Sequence, residues 1–285
     1  MKMYTYILLA FLVAASATEG ILAKEYDRRE ESNSLLFALT TALGALIFWL
    51  IKAGNGFCFD IRIVPYSLGF AASYGAALVG ILLAIHYGPY ALTMLISSYS
   101  LIIPTLYGII MLHEKIKLTC VAGIIFLLVS LALVTARKGE RVKFSLAWII
   151  SIFIGFIGNG MCSTVQKMQQ LRFSGGFKSE FMAIALFAAI VVLLCCEIAR
   201  KDINCTSLTG CLKYGLPKGI INGLINLVVM ILTPLLPNVV LFPSISAGGI
   251  VTAYFVSRFL YAEKLTRIQN IGFILGVFSI VLLNI

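Results

Sequence analysis

The sequence predicts an all-α polytopic membrane protein whose ten transmembrane helices form two inverted five-helix repeats. Composition, ten long apolar stretches and residues that recur at a fixed spacing lead to this fold class. Of the 285 residues, 60% are hydrophobic and 12% are charged, and the mean hydropathy is +1.01. Charged residues are about half as frequent as the roughly 25% usual in soluble domains. A soluble core of this size cannot use so much apolar surface, which excludes a soluble enzyme, a nucleic-acid-binding domain and a disordered chain.

The apolar stretches are about 17–23 residues long, as a hydrocarbon core about 30 Å thick requires. Their length and their lack of period-2 alternation favour helices over strands. They cover residues 4–23, 34–52, 67–87, 90–112, 118–137, 145–167, 179–199, 215–235, 238–260 and 267–285. The first stretch has an alternative interpretation as a signal peptide, because Ala15-Ser16-Ala17 resembles a cleavage site. Its apolar run continues beyond that site, and it has a counterpart in the second half, so we interpret it as a helix.

The net charge of +10 comes from 22 Lys and Arg against 12 Asp and Glu. The basic residues lie mostly between the apolar stretches, where they set topology and contact anionic lipids. Nucleic acid is therefore not an expected partner. With cytoplasmic termini, the inner loops would hold only eight of the 22 basic residues. The positive-inside rule thus favours external termini by a modest margin, and the orientation stays open.

The two halves of the chain repeat one another. At an offset of 149 positions the matched residues are Glu114-Lys115 with Glu263-Lys264, Gly123 with Gly272, Ser130 with Ser279 and Ser97 with Ser246. At an offset of 148 they are Tyr66 with Tyr214, Leu68 with Leu216, Gly75 with Gly223 and Pro89 with Pro237. Aligning Lys24 with Lys167 places Ser16 opposite Asn159. The sequence therefore divides into repeats at 1–138 and 139–285, and an odd number of spans in each repeat forces opposite orientations in the membrane.

This pattern resembles the drug/metabolite transporter superfamily, specifically the ten-helix EamA-type permeases, over the whole chain. The resemblance rests on the five-plus-five repeat, the length and the Glu-Lys pairs at the ends of the fourth and ninth spans. It implies that the third, fourth, eighth and ninth helices line a cavity. The first span is also similar to that of the small multidrug resistance proteins, which bind protons and drugs through a mid-helix Glu. That position is Ser16 here and Asn159 in the second half, so proton/drug antiport does not follow from the motif.

Polar residues inside apolar spans are the candidate site residues, because burying them is costly unless they are paired or functional. Glu19 lies on nearly the same helix face as Ser16 and is the candidate proton-coupling residue; the alternative is an anchor near Lys24. Glu197, Arg258 and Lys167 lie about one turn from span ends and are expected to snorkel to the interface.

The candidate substrate-binding residues come from six regions of the chain. They are Ser16, Glu19, Tyr74, Ser97, Ser98, Tyr99, Asn159, Asn222, Asn226, Ser244 and Ser246. Asn222 and Asn226 share one helix face, and Tyr74 matches Asn222 in the first half. Such neutral donors and acceptors suit a neutral or zwitterionic solute better than a polyanion. Packing between helices is the alternative role for the Ser and Asn residues.

The sequence predicts a secondary transporter, a permease or exporter, that moves a small metabolite or drug-like solute by alternating access, with proton coupling as an option. The alternatives are a flippase for a lipid-linked sugar or lipid, and a non-transporting sensor or accessory subunit. No nucleotide-binding, metal or catalytic motif points to an enzyme, a cofactor or a metal. We expect a small-molecule substrate and membrane lipids as partners, allow a homodimer, and expect a bacterial inner membrane as the location.

Overall fold

The computed structural model describes residues 3–29, 33–54, 56–87, 93, 96–97, 99–135, 145–200, 205–255 and 266–284. Within these residues the chain forms ten α-helices and one 3₁₀ turn, Ile61–Ile63, and no strand. The helices are α1 (Met3–Arg29), α2 (Ser34–Ala53), α3 (Val64–Tyr87), α4 (Ile102–Ile110), α5 (Leu118–Thr135), α6 (Leu146–Arg172), α7 (Lys178–Arg200), α8 (Cys205–Leu232), α9 (Asn238–Phe255) and α10 (Arg267–Asn284).

Six of these segments are long and apolar enough to cross a membrane. They are Met3–Ala23, Ser34–Ala53, Ile61–Ala84, Leu146–Arg172, Lys178–Ile198 and Leu208–Leu232. Leu118–Ser130 and Asn270–Ser279 form shorter apolar helices. The predicted class of an all-α, multi-pass membrane protein agrees with this architecture.

Three helices are longer than the apolar stretches that predicted them. α1 continues to Arg29 and α6 to Arg172, and α8 begins at Cys205 rather than near residue 215. These helices have 27, 27 and 28 residues, which at 1.5 Å per residue is about 40 Å. That length matches a bilayer with its headgroup regions, whereas an apolar run reports only the hydrocarbon core.

Each of the main packed pairs joins a helix of the first half of the chain to a helix of the second half. α3 lies along α6 and α1 lies along α8, while α5 packs on α10 and α4 on α9. α2 contacts both α7 and α8, and α3 contacts α7. Fully buried aromatic side chains fill the space between α2, α3 and α7, where Phe70 meets Phe181 edge to face at 5.5 Å between ring centroids. This core fixes the frame on which the polar residues of α1, α6 and α8 are held.

Glycines bring α2 and α8 into direct backbone contact. A side chain at Gly44 would collide with the carbonyl oxygen of Leu216, and one at Gly219 would collide with that of Thr41. Gly215 and Gly223 extend this face of α8 by one turn in each direction, against Thr40 and Phe48. Small residues spaced by four let membrane helices approach closely, since lipid provides no hydrophobic drive between helices.

Two reciprocal hydrogen bonds join α5 and α10. The Ser130 hydroxyl donates to the Gly272 carbonyl at 2.6 Å, and the Ser279 hydroxyl donates to the Gly123 carbonyl at 2.8 Å. These four residues are two of the pairs that match at the 149-residue offset. Each helix therefore gives its partner the same contact that it receives, as two helices around a local two-fold axis do.

Candidate functional site

Six polar side chains from α1, α3, α6 and α8 meet inside the helix bundle. We call this group the central polar cluster. It consists of Glu19, Tyr74, Gln166, Lys218, Asn222 and Asn226. Glu19 lies within the apolar segment Met3–Ala23, and the three α8 residues lie within Leu208–Leu232.

An ion pair forms one end of the cluster. The Lys218 ammonium lies 2.8 Å from Glu19 Oε1, and their side chains are 12% and 21% exposed. The Asn222 amide donates to the same carboxylate oxygen at 3.2 Å. Lys218 Nζ also lies 5.9 Å from the centroid of the Phe37 ring, within reach of a cation–π contact. The charge of Glu19 is thus balanced by a cation from another helix, and both side chains remain partly exposed.

Amide groups form the other end of the cluster. Asn226 Nδ2 donates to the backbone and side-chain oxygens of Asn222 at 2.8 and 3.1 Å. Gln166 Nε2 donates to Asn226 Oδ1 at 2.6 Å, and the Tyr74 hydroxyl donates to Asn222 Oδ1 at 3.4 Å. Lys218, Asn222 and Asn226 are spaced by four residues and so share one face of α8. The cluster is one connected network of neutral and charged groups.

The ion pair and Tyr74 lie near the middle of their helices, whereas Gln166 and Asn226 lie six residues from the ends of α6 and α8. Lys218 is about halfway along α8, which runs from Cys205 to Leu232, so it lies about 20 Å from either end of that helix. Tyr74 is close to the centre of α3, Val64–Tyr87. Ionisable residues at this depth face a bundle interior or a cavity, and they mark pathways for ions or solutes.

The structure brings together four of the residues predicted from sequence, namely Glu19, Tyr74, Asn222 and Asn226. Lys218 and Gln166 were missed. Lys218 sat at the predicted edge of the eighth span, beside Pro217, and only the longer helix places it at mid-depth. Its signal was a lone Lys four residues before Asn222 and eight before Asn226, on a common helix face.

Other predicted residues lie elsewhere in the bundle. Ser16 is half-buried on α1, one turn before Glu19. Asn159 donates to the Ser100 hydroxyl at 2.6 Å, and that hydroxyl donates to the backbone oxygen of Ser97, also 2.6 Å away. Tyr99 donates to the Leu128 carbonyl at 3.3 Å and is thereby directed toward α5. Ser98 lies outside the described residues.

Ser244 and Ser246 are buried on α9, at 5% and 8% exposure. This helix packs against α1, α4, α5 and α10. Both serines therefore lie within the bundle, on a helix next to the one that carries Glu19.

A second polar group closes the end of the bundle that holds the α8–α9 turn. We call it the turn latch; it consists of Lys167, Glu114 and Asn238. Lys167 Nζ donates to the Thr233 carbonyl at 2.5 Å and lies 3.4 Å from that of Leu236. Glu114 accepts from the Val239 backbone N–H at 3.1 Å, and Asn238 donates to the Pro104 carbonyl at 2.9 Å. These contacts tie α4 and α6 to the turn between α8 and α9.

The expected snorkelling of Lys167 and Glu197 is wrong. Lys167 is 4% exposed and Glu197 is 1% exposed. Carbonyls at the end of α8 satisfy the Lys167 ammonium, and the Asn33 amide donates to Glu197 Oε1 at 2.7 Å. Partners inside the protein replace the interface that the sequence suggested. Arg258 lies outside the described residues.

Within the described part of the chain, no group of three or more His, Cys, Asp or Glu side chains lies close enough to hold a metal ion. The central polar cluster contains one carboxylate and one ammonium, which bind each other. The groups of the cluster are therefore an ion pair and neutral hydrogen-bond donors and acceptors.

No family model matches the chain, and no curated protein matches it. Solved structures do resemble it. One crystal structure of a protein is 13% identical in sequence and covers 100% of this chain and 99% of its own, with a TM-score of 0.78. At this identity the likeness concerns the fold alone, and it extends over both chains from end to end.

Proposed function

We propose that this protein is a secondary transporter of a small metabolite or drug-like solute that works by alternating access. The observation that carries the proposal is the central polar cluster, an ion pair with attached amides at mid-depth between four helices. Each buried polar group costs free energy in a membrane unless it is satisfied or used. Packing alone does not require a Glu and a Lys at this depth, whereas a site for a polar solute can use both.

Symmetry supports the same proposal. Tyr74 and Asn222 occupy equivalent positions in the two repeats and bind each other directly. Under the same equivalence α1 corresponds to α6 and α8 corresponds to α3, so the packed pair α1–α8 corresponds to the packed pair α6–α3. The two hydrogen bonds between α5 and α10 correspond to each other in the same way. Two inverted repeats, 1–138 and 139–285, account for all three features. In such proteins the halves exchange conformations around a fixed central site.

We further propose that the chain is an EamA-type member of the drug/metabolite transporter superfamily with ten spans, located in a bacterial inner membrane. The ten helices among the described residues, and the Glu-Lys pairs that the sequence places at the ends of the fourth and ninth predicted spans, support this assignment. The turn latch gives the Glu of the first pair a structural role, because Glu114 binds the backbone at the start of α9.

The lipid flippase alternative has less support. A headgroup site calls for cations near the ends of helices, whereas Lys218 lies halfway along α8. The mid-depth position favours a solute that enters the bundle from water. An accessory subunit, in turn, has no need of a charged pair in its interior.

Transport into proteoliposomes tests the proposal, with Glu19→Gln as the variant for proton coupling. Protonation of Glu19 would release Lys218, so a coupled proton has a defined place to bind. We expect a solute flux in the wild type whose rate depends on pH, and a reduced flux in Glu19→Gln, measured at saturating solute, that does not. Radiolabelled solute counterflow measures both rates.

Arg62→Gln serves as the control, because it breaks an exposed ion pair with Asp60 outside the cluster. It should transport like the wild type. Unchanged pH dependence in Glu19→Gln would remove the proton-coupling role, and an absence of flux for every solute class would contradict transport itself.

A further inference from the structure

We infer that the solute is a small zwitterion, with its cationic and anionic groups close together, and that it binds by inserting between Glu19 and Lys218. This inference rests on the proposed transport function and names the substrate class of the same site. In the bound state the solute's ammonium would pair with Glu19 and its anionic group with Lys218.

The charge balance of the site selects this class. A solute with only a cation would displace Lys218 from Glu19 and leave the ammonium unpaired at 12% exposure. A solute with only an anion would leave the carboxylate unpaired at 21% exposure. Removing one partner of a buried ion pair is strongly unfavourable, because the other charge stays desolvated. Among charged solutes, only a zwitterion replaces one ion pair with two and leaves no charge unpaired.

The geometry of the pair sets the spacing of the solute's charges. Glu19 and Lys218 approach to 2.8 Å and are linked on one side by the Asn222 amide. Two groups this close can be bridged by a solute whose charges are separated by one or two atoms. A long flexible zwitterion would have to fold back on itself and lose conformational freedom.

The neutral groups around the pair fit the same class. Asn222, Asn226 and Tyr74 supply amide and hydroxyl groups and no further charge, so the net charge of the central polar cluster is zero. The remainder of the solute would therefore meet uncharged hydrogen-bonding groups.

Matched derivatives of α-amino acids test this inference on the purified full-length protein. The probes are alanine, leucine and phenylalanine, each with its methyl ester, which is only cationic, and its N-acetyl form, which is only anionic. Binding raises the apparent unfolding temperature by mass action. We expect at least one free amino acid to act at a concentration about tenfold or more below that of its two derivatives. 6-Aminohexanoate, with widely separated charges, should act more weakly.

Variants of the pair should change this preference in opposite directions. Glu19→Gln should gain binding of the N-acetyl form, and Lys218→Met should gain binding of the methyl ester. The double variant Glu19→Gln/Lys218→Met leaves no unpaired charge and should lose the preference for zwitterions, which keeps the test decisive if either single variant fails to fold. Arg62→Gln should behave like the wild type.

The inference is overturned if an ester or N-acetyl derivative binds the wild type as tightly as its parent, or if no zwitterion binds. Flux measurements separate this failure from failure of the proposed function. Transport of a singly charged or neutral solute would support the proposed transport function and contradict the zwitterionic substrate class. Binding of a zwitterion without flux would support the zwitterionic ligand class and contradict the proposed transport function.

Discussion

At the scale of single residues, Lys167 illustrates how backbone carbonyls hold a buried cation. Its ammonium donates to the Thr233 carbonyl and lies 3.4 Å from that of Leu236, both in the turn that directly follows α8. The partial negative charge of a helix C-terminus also favours a cation there. A Lys near a span end therefore became an internal contact instead of an interfacial anchor.

Replacing Lys167 with Met should destabilise the protein. The change keeps most of the side-chain volume but removes the donor to the Thr233 and Leu236 carbonyls. A buried acceptor without its partner costs about 1–3 kcal/mol. We expect a lower apparent unfolding temperature in detergent, measured by intrinsic fluorescence. Lys115→Met, at an exposed position beside Glu114, is the control and should unfold like the wild type; equal stability of the two variants would contradict the role of Lys167.

At the scale of elements, α8 combines two functions on adjacent faces. Gly215, Gly219 and Gly223 form the face that contacts α2, and a polar stripe that includes Lys218 and Asn222 forms the face toward α1 and α3. Close packing of one face therefore determines where the other face holds its charged and polar groups. Pro217 lies between these residues and removes one backbone donor from the helix interior.

Gly219→Ala should disturb this arrangement. The added methyl group would meet the Thr41 carbonyl oxygen, so α2 and α8 must separate. Overpacking of this kind costs about 1–3 kcal/mol, and we expect a lower unfolding temperature together with weaker solute binding. The matched control is Gly75→Ala, where nothing lies within 4 Å of the new Cβ. That variant should be neutral or gain up to about 1 kcal/mol from helix propensity; similar losses in both variants would argue against the role of close packing.

These elements also show what the sequence could reveal. Glu19, Asn222 and Asn226 were predictable because polar groups within apolar runs are costly and therefore conspicuous. Lys218 and Gln166 were not, because both sat near the ends of apolar runs, and hydropathy cannot distinguish a helix end from a helix that continues. Contacts such as Tyr99 with Leu128 depend on how helices rotate against one another, which no single-sequence pattern specifies.

At the scale of the whole molecule, the ends of the bundle can be assigned from contacts. The Cys58 backbone N–H donates to Glu180 at 3.2 Å, so the α2–α3 connection lies beside the start of α7. Ser174, in the α6–α7 turn, belongs to the same end. Ser145 precedes α6 and is separated from that end by a helix of 27 residues, or about 40 Å.

This arrangement predicts the sidedness of three positions in a cysteine-free background. Single cysteines at position 58, at Ser174→Cys and at Ser145→Cys should react with a membrane-impermeant maleimide. We expect the first two to be labelled from one side of the membrane and the third from the other, measured in intact cells and in inverted vesicles. Permeabilised membranes, in which all three react, are the control. Labelling of all three from one side would contradict the alternating spans.

The Glu19–Lys218 pair has a further consequence for the energetics of a membrane that carries a voltage. Moving one elementary charge through 100 mV changes the free energy by about 2.3 kcal/mol. A carboxylate and an ammonium 2.8 Å apart move together and sum to zero, so an empty site can reorient without work against the membrane potential. A zwitterion that binds between the two groups adds one positive and one negative charge, so the sum stays at zero. The voltage then acts only on the protonated form of the site, in which Glu19 is neutral and Lys218 keeps its charge.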